Sequence, residues 1–504
     1  MILTLVVFGA AVLLWVCTPL DDTFVALAAV AALLLFGVLP ASSLAALGSA
    51  TTWLLIAAFV LAAGVTASGL PARLATWLLG RARTVRGLAH LTALALLITA
   101  FFVPSTSGRA ALSLPVYTEL RGRLNDRVAK AFGVLFPSVI LLTAVATAVG
   151  AGAHLITNSL LEAATGQGIG FGWWLVLGVP LAVVSAFVTA EIVLWLFTTR
   201  ADRKQPVAAR SEGPPPGVPC SNSPRQHRQF RTLELAPATS SAGLRPERTA
   251  SAATQPFSGP GRTASAAITT ERTGPGATQP FSGPGRTASA AITSERTAPT
   301  APQPLTRPEW TALAVVLAVS LTWLTEPWHG IAPEVAALAG ALLITAPRLG
   351  TTTIKQAFAD IPWSLLLFMA ATTMLGTALI TSGAGNLLAG LVNPAHLLPT
   401  VIVVSLLAHL VIQSRSARSS VLIPIVIPLA VAAGLNPAAL AFASTAAAGF
   451  CHTLTSSAKP VALFADAYAP KDLLKLSAVL APVTGLLVYA AAVFLWPSLG
   501  LPLK

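Results

Sequence analysis

The chain has 504 residues, of which 55% are hydrophobic and only 10% charged, and its mean hydropathy is +0.75. A soluble domain carries roughly 25% charged residues. So few charges cannot cover so much apolar surface in water. The continuous, non-alternating apolar stretches point to an all-α polytopic membrane protein. They exclude a cytosolic enzyme, a disulfide-stapled secreted domain, a globular nucleic-acid binder and an outer-membrane barrel.

In chain order, the first half holds apolar stretches at 2–18, 23–40, 51–70, 88–104, 108–122, 131–165 and 172–198. The first lacks a basic n-region and reads as a span, not a cleaved signal. Residues 200–307 follow, rich in Pro, Gly, Ser, Thr and Ala, and they hold most of the net charge of +13. Within them TQPFSGPGRTASAAITTERT (254–273) returns as TQPFSGPGRTASAAITSERT (278–297). A repeat without an apolar face reads as a disordered, basic, duplicated linker and not a solenoid. The second half resumes with stretches at 309–327, 331–347, 361–382, 397–413, 417–433, 437–468 and 475–497. The expected domains are therefore a membrane repeat at 1–199, the linker at 200–307 and a second membrane repeat at 308–504. Cys17, Cys220 and Cys451 are too few and too scattered for a disulfide framework or a metal cluster. No Walker motif or catalytic constellation occurs, so neither an enzyme nor a tightly held cofactor is expected.

The halves match in sequence. PSTSGRAALSLPV (104–116) aligns with QSRSARSSVLIPI (413–425), SGLPARLA (68–75) with SGAGNLLA (382–389), and AGAHLITNS (151–159) with AGFCHTLTSS (448–457). Duplicated hydrophobic units are a mark of secondary carriers. Each Ser-x-Ser-x-Arg box interrupts an apolar run too long for one span, which suits re-entrant hairpins at 88–122 and 397–433. The Ala-Gly patches read as breaks in discontinuous helices. Five spans per half, with the hairpins not counted, make the second repeat inverted. They also gather Arg81, Arg83, Arg86, Arg121, Arg123, Arg127, Lys130, the linker, Arg348, Lys355, Lys471 and Lys475 on one side, leaving Lys504 alone on the other. By the positive-inside rule the linker is cytoplasmic and both termini lie outside, in a cell inner membrane or plasma membrane.

At these residues the chain resembles the divalent-anion/sodium symporter family of the ion-transporter superfamily. That family has two Ser-Asn-Thr motifs at hairpin tips, each followed by an apolar run ending in Pro. Ser105-Thr106-Ser107 with Pro115, and Ser414-Arg415-Ser416 with Pro424, occupy those places. The resemblance implies a dicarboxylate or sulfate carrier, usually a homodimer with elevator-like motion, with sodium held by hairpin tips and helix breaks. Both Asn positions are lost here, to Thr106 and Arg415, while Arg109 and Arg418 are added cations.

An intramembrane Arg costs about 2.5–3.5 kcal/mol on insertion scales, so each needs a partner. The partner is either a bound oxyanion or a structural carboxylate such as Glu119, Glu191 or Asp466. The tip serines either bind ligand or cap helices, or both. The candidate substrate residues are Ser105, Thr106, Ser107, Arg109, Ser414, Arg415, Ser416 and Arg418. Gly152, His154, Thr157, Asn158, His452, Thr453, Thr455, Ser456 and Lys459 are candidates at the helix breaks. The tryptophans Trp173, Trp174, Trp323, Trp328 and Trp496 read as mostly interfacial anchors. Sodium or a proton is the expected coupling ion. A residual sodium site is open at Ser105, Thr106 and Ser107, and like charges about 4 Å apart, repelling by roughly 4 kcal/mol, disfavour one beside Arg415. The leading function is secondary transport of a small divalent oxyanion by alternating access. The alternatives are an arsenite- or proton-antiport-type carrier, which would need a carboxylate pair at the site, and a non-transporting anchor with a basic interaction linker.

Overall fold

The structure is a computed structural model that describes residues 1–71, 73, 77, 80–103, 105–206, 304–383 and 396–504. Both copies of the tandem repeat, Cys220, and much of the SGLPARLA/SGAGNLLA pair lie outside the described residues. Helices dominate, and the described residues contain no strand, only an isolated bridge between Thr84 and Pro206.

In the first half α1 (Ile2–Cys17), α2 (Asp22–Leu35) and α3 (Ala50–Ala67) precede α4 (Val85–Phe102) and α5 (Thr106–Arg121). Then come α6 (Asp126–Leu142), α7 (Gly152–Thr165) and α8 (Phe171–Phe197). The second half repeats the order. It has α9 (Arg307–Leu324), α10 (Pro333–Ile344), α11 (Trp363–Thr381), α12 (Leu397–Leu407), α13 (Arg415–Ala432), α14 (Pro437–Ala447), α15 (Lys459–Leu463) and α16 (Pro470–Ala490). Among the described residues, six helical segments are long and apolar enough to cross a bilayer: 41–67, 126–146, 171–197, 363–381, 415–432 and 470–498. One of them is α13, the second arm of a hairpin that the sequence reading leaves out of the span count.

In a bilayer the first-turn N–H groups of a helix cannot turn to water. The chain supplies side-chain caps instead. Asp21 accepts from Thr23 and Phe24 N–H, Asn125 from Val128 N–H and Asn436 from Ala438 and Ala439 N–H. At the tips, Ser105 accepts from Gly108 N–H and Ser414 from Ala417 N–H, each at 3.3 Å. Capping by these two serines is therefore present.

The halves interlock. Helix α3 packs on α10 and α2 on α11. The second hairpin arm, α13, packs on α7 of the first half, and its counterpart α5 packs on α15 of the second. Beneath them Trp174, Phe442 and Trp496 stack with ring centroids 4.8 and 4.9 Å apart. Trp174 and Trp496 are fully buried and Trp323 nearly so, which corrects their reading as interfacial anchors. Their indole N–H groups bond to carbonyls inside the protein, Trp174 to Val145 at 3.1 Å, Trp496 to Leu177 at 3.2 Å and Trp323 to Pro333 at 2.8 Å. Trp173 and Trp328 remain exposed.

Both long stretches past the hairpins are broken, but unequally. After α6 the chain makes two short 3-10 turns, Thr143–Ala146 and Ala148–Gly150, all buried, before α7 begins. After α14 it runs without helix from 448 to 458, and α15 lasts only five residues against fourteen in α7. The two Ala-Gly patches thus differ in place. AGAH opens the second half-helix α7, whereas AGFCH follows the end of α14. His154 and His452 are not structural counterparts, because sequence likeness over so few small residues followed composition and not position.

Candidate functional site

The two tip arginines share a sequence frame but make different bonds. Arg109 is buried, and its Nε donates to Thr99 Oγ1 (3.0 Å). Its Nη1 donates to the Ile140 carbonyl (2.9 Å), and its Nη2 to the Leu96 carbonyl (2.5 Å) and Thr143 Oγ1 (2.8 Å). The guanidinium therefore closes the C-terminal end of α6, where free carbonyls carry partial negative charge and a cation is favourable. Arg109 is placed as a brace of the broken helix, not as a free anion ligand. The physical reason is that four oxygens already occupy its donors.

Arg418 is equally buried, yet only Nη1 finds an acceptor, the Ala448 carbonyl just past α14 (3.2 Å). Its Nε and Nη2 have no hydrogen-bond partner. The cause is visible in the neighbours. Ten residues before Arg109 stands Thr99, and ten before Arg418 stands Ala408. Three residues past the carbonyl that each arginine grips stand Thr143 in the first half and Cys451 in the second. Both hydroxyls that satisfy Arg109 are missing around Arg418.

The carboxylates expected as structural partners are engaged elsewhere. Glu119 pairs with Arg123, Glu191 with Arg86 (2.7 Å) and His90 (2.6 Å), and Asp466 is exposed. Among the described residues no carboxylate lies within ion-pair distance of Arg109, Arg415 or Arg418.

Arg415 reaches across the halves. Its Nη1 donates to the Leu141 carbonyl at 3.5 Å and its Nη2 lies 3.1 Å from His154 Nε2. His154 Nδ1 lies 3.0 Å from the Thr147 carbonyl, so the ring is neutral, donates from Nδ1 and accepts from Arg415 at Nε2. Arg415 Nε is buried without a partner. His452 is fully buried, and neither ring nitrogen completes a hydrogen bond. Ser419 Oγ is a further buried, unpartnered hydroxyl. Leaving a buried donor unpaired costs about 1–3 kcal/mol, and more for a charged group. Among the described residues these buried donors have no carboxylate within ion-pair distance.

The remaining candidates divide. Ser105, Thr106, Ser107, Ser414 and Ser416 are half-buried at the tips. A side chain at Gly152 would meet Leu365 at 3.1 Å and Ser416 Oγ at 3.4 Å, so the glycine lets α7 approach the second tip. Thr157 is buried and bonds Thr445 across the halves at 2.6 Å. Asn158 Oδ1 accepts from Ile169 N–H at 2.6 Å and holds a loop away from the arginines. Thr453 bonds His409 Nε2 (2.8 Å) and Ser477 (3.3 Å). Thr455 is half-buried, and Ser456 and Lys459 are exposed.

The sequence reading missed two residues of this region. His409 and Ser419 flank the second box, and only their distance of five residues or fewer from it could have drawn notice. No group of three or more His, Cys, Asp or Glu among the described residues could hold a metal ion. A separate crevice is lined by Ala58, Leu61, Phe101, Val149, Val316, Val319, Ser320 and Trp323, apolar side chains but for the one serine.

A family model described as "Citrate transporter" matches residues 12–447. No curated protein matches in sequence. Among solved structures, the YdaH transporter of Alcanivorax borkumensis, whose crystal structure was described as revealing an unusual topology, aligns with a TM-score of 0.51. That alignment has 15% identity over 99% of this chain and 98% of that one, and it supports a common fold.

Proposed function

The chain belongs to the citrate transporter family, which makes it a multi-pass secondary transporter and not an enzyme, and from that premise we propose that it carries a small oxyanion of the di- or tricarboxylate or sulfate class by alternating access. The observation that carries this reading is Arg418, a fully buried guanidinium with two unpartnered donors. A carboxylate or sulfate offers the paired oxygens that such a fork binds. The tip serines and the N-terminal turn of α13 add donors. Labelled citrate, succinate and sulfate presented to proteoliposomes test it: saturable uptake of at least one, lost in Arg418→Met, is the expected result.

The reading extends to coupling. Arg109 and Arg415 bond the last carbonyls of α6, and Arg418 bonds the carbonyl after α14. Those carbonyls are the oxygens that would attract a small cation at a helix break. Tethered guanidinium groups stand in for that cation, so transport proceeds without sodium, including at Ser105, Thr106 and Ser107. The topology that accompanies this reading places the repeats inverted, the tips as re-entrant hairpins, the linker in the cytoplasm and both termini outside. The carrier is a homodimer in a cell inner membrane or plasma membrane. Family membership leaves no support for a non-transporting anchor.

A further inference from the structure

Arg415 is held in a way that leaves its charge uncancelled. It opens α13 in the second half, while its partners stand on both sides of the helix break in the first half. Nη1 donates to the carbonyl of Leu141, in the last turn of α6, at 3.5 Å. Nη2 donates to Nε2 of His154, in the first turn of α7, at 3.1 Å. Gly449 makes room for this reach, since a Cβ there would stand 3.2 Å from Nη2. Both acceptors are neutral, and among the described residues no carboxylate lies within ion-pair distance of Arg415.

His154 is fixed as an acceptor. The residue is fully buried. Its Nδ1 lies 3.0 Å from the Thr147 carbonyl, which can only accept, and its Nε2 faces a guanidinium, which can only donate. One form of the ring meets both demands, the neutral imidazole with its proton on Nδ1. The ring centroid lies 5.4 Å from that of Trp174, with the planes 30° apart, and Trp174 is tied through Nε1 to the Val145 carbonyl at 3.1 Å. The broken stretch between α6 and α7 therefore sets both the tautomer and the plane of the ring.

Arg418 follows Arg415 by three residues, so the two side chains leave one face of α13. Arg415 keeps Nε without a partner, and Arg418 keeps Nε and Nη2. The first turn of α13 thus brings two positive charges to one face, and no carboxylate among the described residues pairs with either. Buried charge without a counter-charge is costly. A ligand with two negative charges relieves that cost in full, and a ligand with one relieves part of it.

We propose that His154 is a positioning residue that sets the charge selectivity of the site: it anchors Arg415 across the halves without cancelling its charge, so a dianion is preferred over a monoanion of like size. This rests on the anion-site reading above. His154 acts only through Arg415. A glutamate in its place would hold the guanidinium at least as firmly but would neutralise it. Anchoring and charge are therefore separable by substitution at one position.

The test uses the full chain reconstituted in lipid, with labelled succinate as the dianion and butyrate, a monoanion of the same chain length, as its competitor. The unaltered protein should favour succinate by about a hundredfold or more. His154→Gln offers Arg415 an oxygen and the Thr147 carbonyl an N–H, and should keep that preference within about threefold. His154→Glu should reduce the preference to below about tenfold, with a melting temperature no lower than that of the unaltered chain. A purely structural role predicts no such split between anchoring and selectivity. Undiminished preference in His154→Glu overturns the proposal, and so does an equal collapse in His154→Gln, because charge would then not be what matters. Arg415→Gln removes the same charge from the other side of the pair and reads the same quantity even if His154→Glu fails to insert; succinate preference retained there is equally fatal. In nitrogen NMR spectra of histidine-labelled protein, the signals missing from His154→Gln should be those of a protonated Nδ1 and a bare Nε2, and a protonated Nε2 would remove the acceptor and the proposal with it. Arg418→Met tests the anion site itself. If it binds both anions normally, the site reading falls. If it loses both while His154→Glu keeps the succinate preference, only the role of His154 falls.

Discussion

Replacing Arg418 and Arg109 by methionine, one at a time, should produce opposite effects on stability and binding. Methionine keeps most of the side-chain volume and removes the charge. At Arg418 the substitution deletes one bond to a carbonyl and two buried guanidinium nitrogens that have no partner. Removing an uncompensated buried charge is often neutral or stabilising, so the ligand-free protein should melt at the same temperature or higher. Anion binding should collapse: two charge-assisted hydrogen bonds at about 1.5–3 kcal/mol each amount to about 3–6 kcal/mol, or about a hundredfold to ten-thousandfold in Kd. At Arg109 the substitution strips the Ile140 carbonyl and the Thr99 and Thr143 hydroxyls of their donor. Each buried acceptor left bare costs about 1–3 kcal/mol, so a loss of at least about 3 kcal/mol is expected. Thermal melts of the detergent-solubilised protein, with and without citrate, succinate or sulfate, read both quantities. If Arg418→Met melts as early as Arg109→Met, or is still shifted upward by the same anion as the unaltered chain, the division of labour between the two arginines is wrong.

Giving Arg418 the neighbours of Arg109, through Ala408→Thr with Cys451→Thr, should satisfy its spare donors and lower anion affinity by tenfold or more, with a raised melting point; unchanged affinity would count against the explanation of its free donors. Uptake measured from zero to high sodium should stay flat, and a sigmoidal rise with a Hill coefficient of about 2 would refute the tethered-cation reading. Exchange of 210–300 for a short Gly/Ser linker should leave transport intact, and loss of uptake with normal insertion would reveal a task for that segment. Cys220 should resist an impermeant thiol reagent in intact cells and react after permeabilisation; prompt labelling in intact cells would reverse the topology.

Much of the frame is readable from residues alone. The Ser-x-Ser-x-Arg boxes mark where α5 and α13 begin, because a serine cap before an apolar run is a local signal that needs no knowledge of neighbours. The inequality of Arg109 and Arg418 is not readable in that way. It depends on Thr99 and Thr143, one on the preceding hairpin arm and one past the end of α6, meeting a single guanidinium in three dimensions. The pairing of His154 with His452 failed for the opposite reason: a short run of small residues matched well while the backbone around it did not.

The crossed packing of the hairpin arms bears on how the chain is made. Helix α5 finishes at Arg121, but α15, the element that covers it, begins at Lys459. At about 5–20 residues per second of synthesis, the first arm waits roughly 17–70 s for its cover. During that interval Arg109 can already brace α6, since all four of its acceptors lie within the first half. Arg415 cannot seat until its own half arrives to meet Leu141 and His154. The first half is thus equipped to hold its broken helix on the ribosome without help, while the contacts of Arg415 with Leu141 and His154 come into being only when translation is almost complete. A chain cut short in the linker would carry a braced but uncovered hairpin, a natural target for membrane quality control.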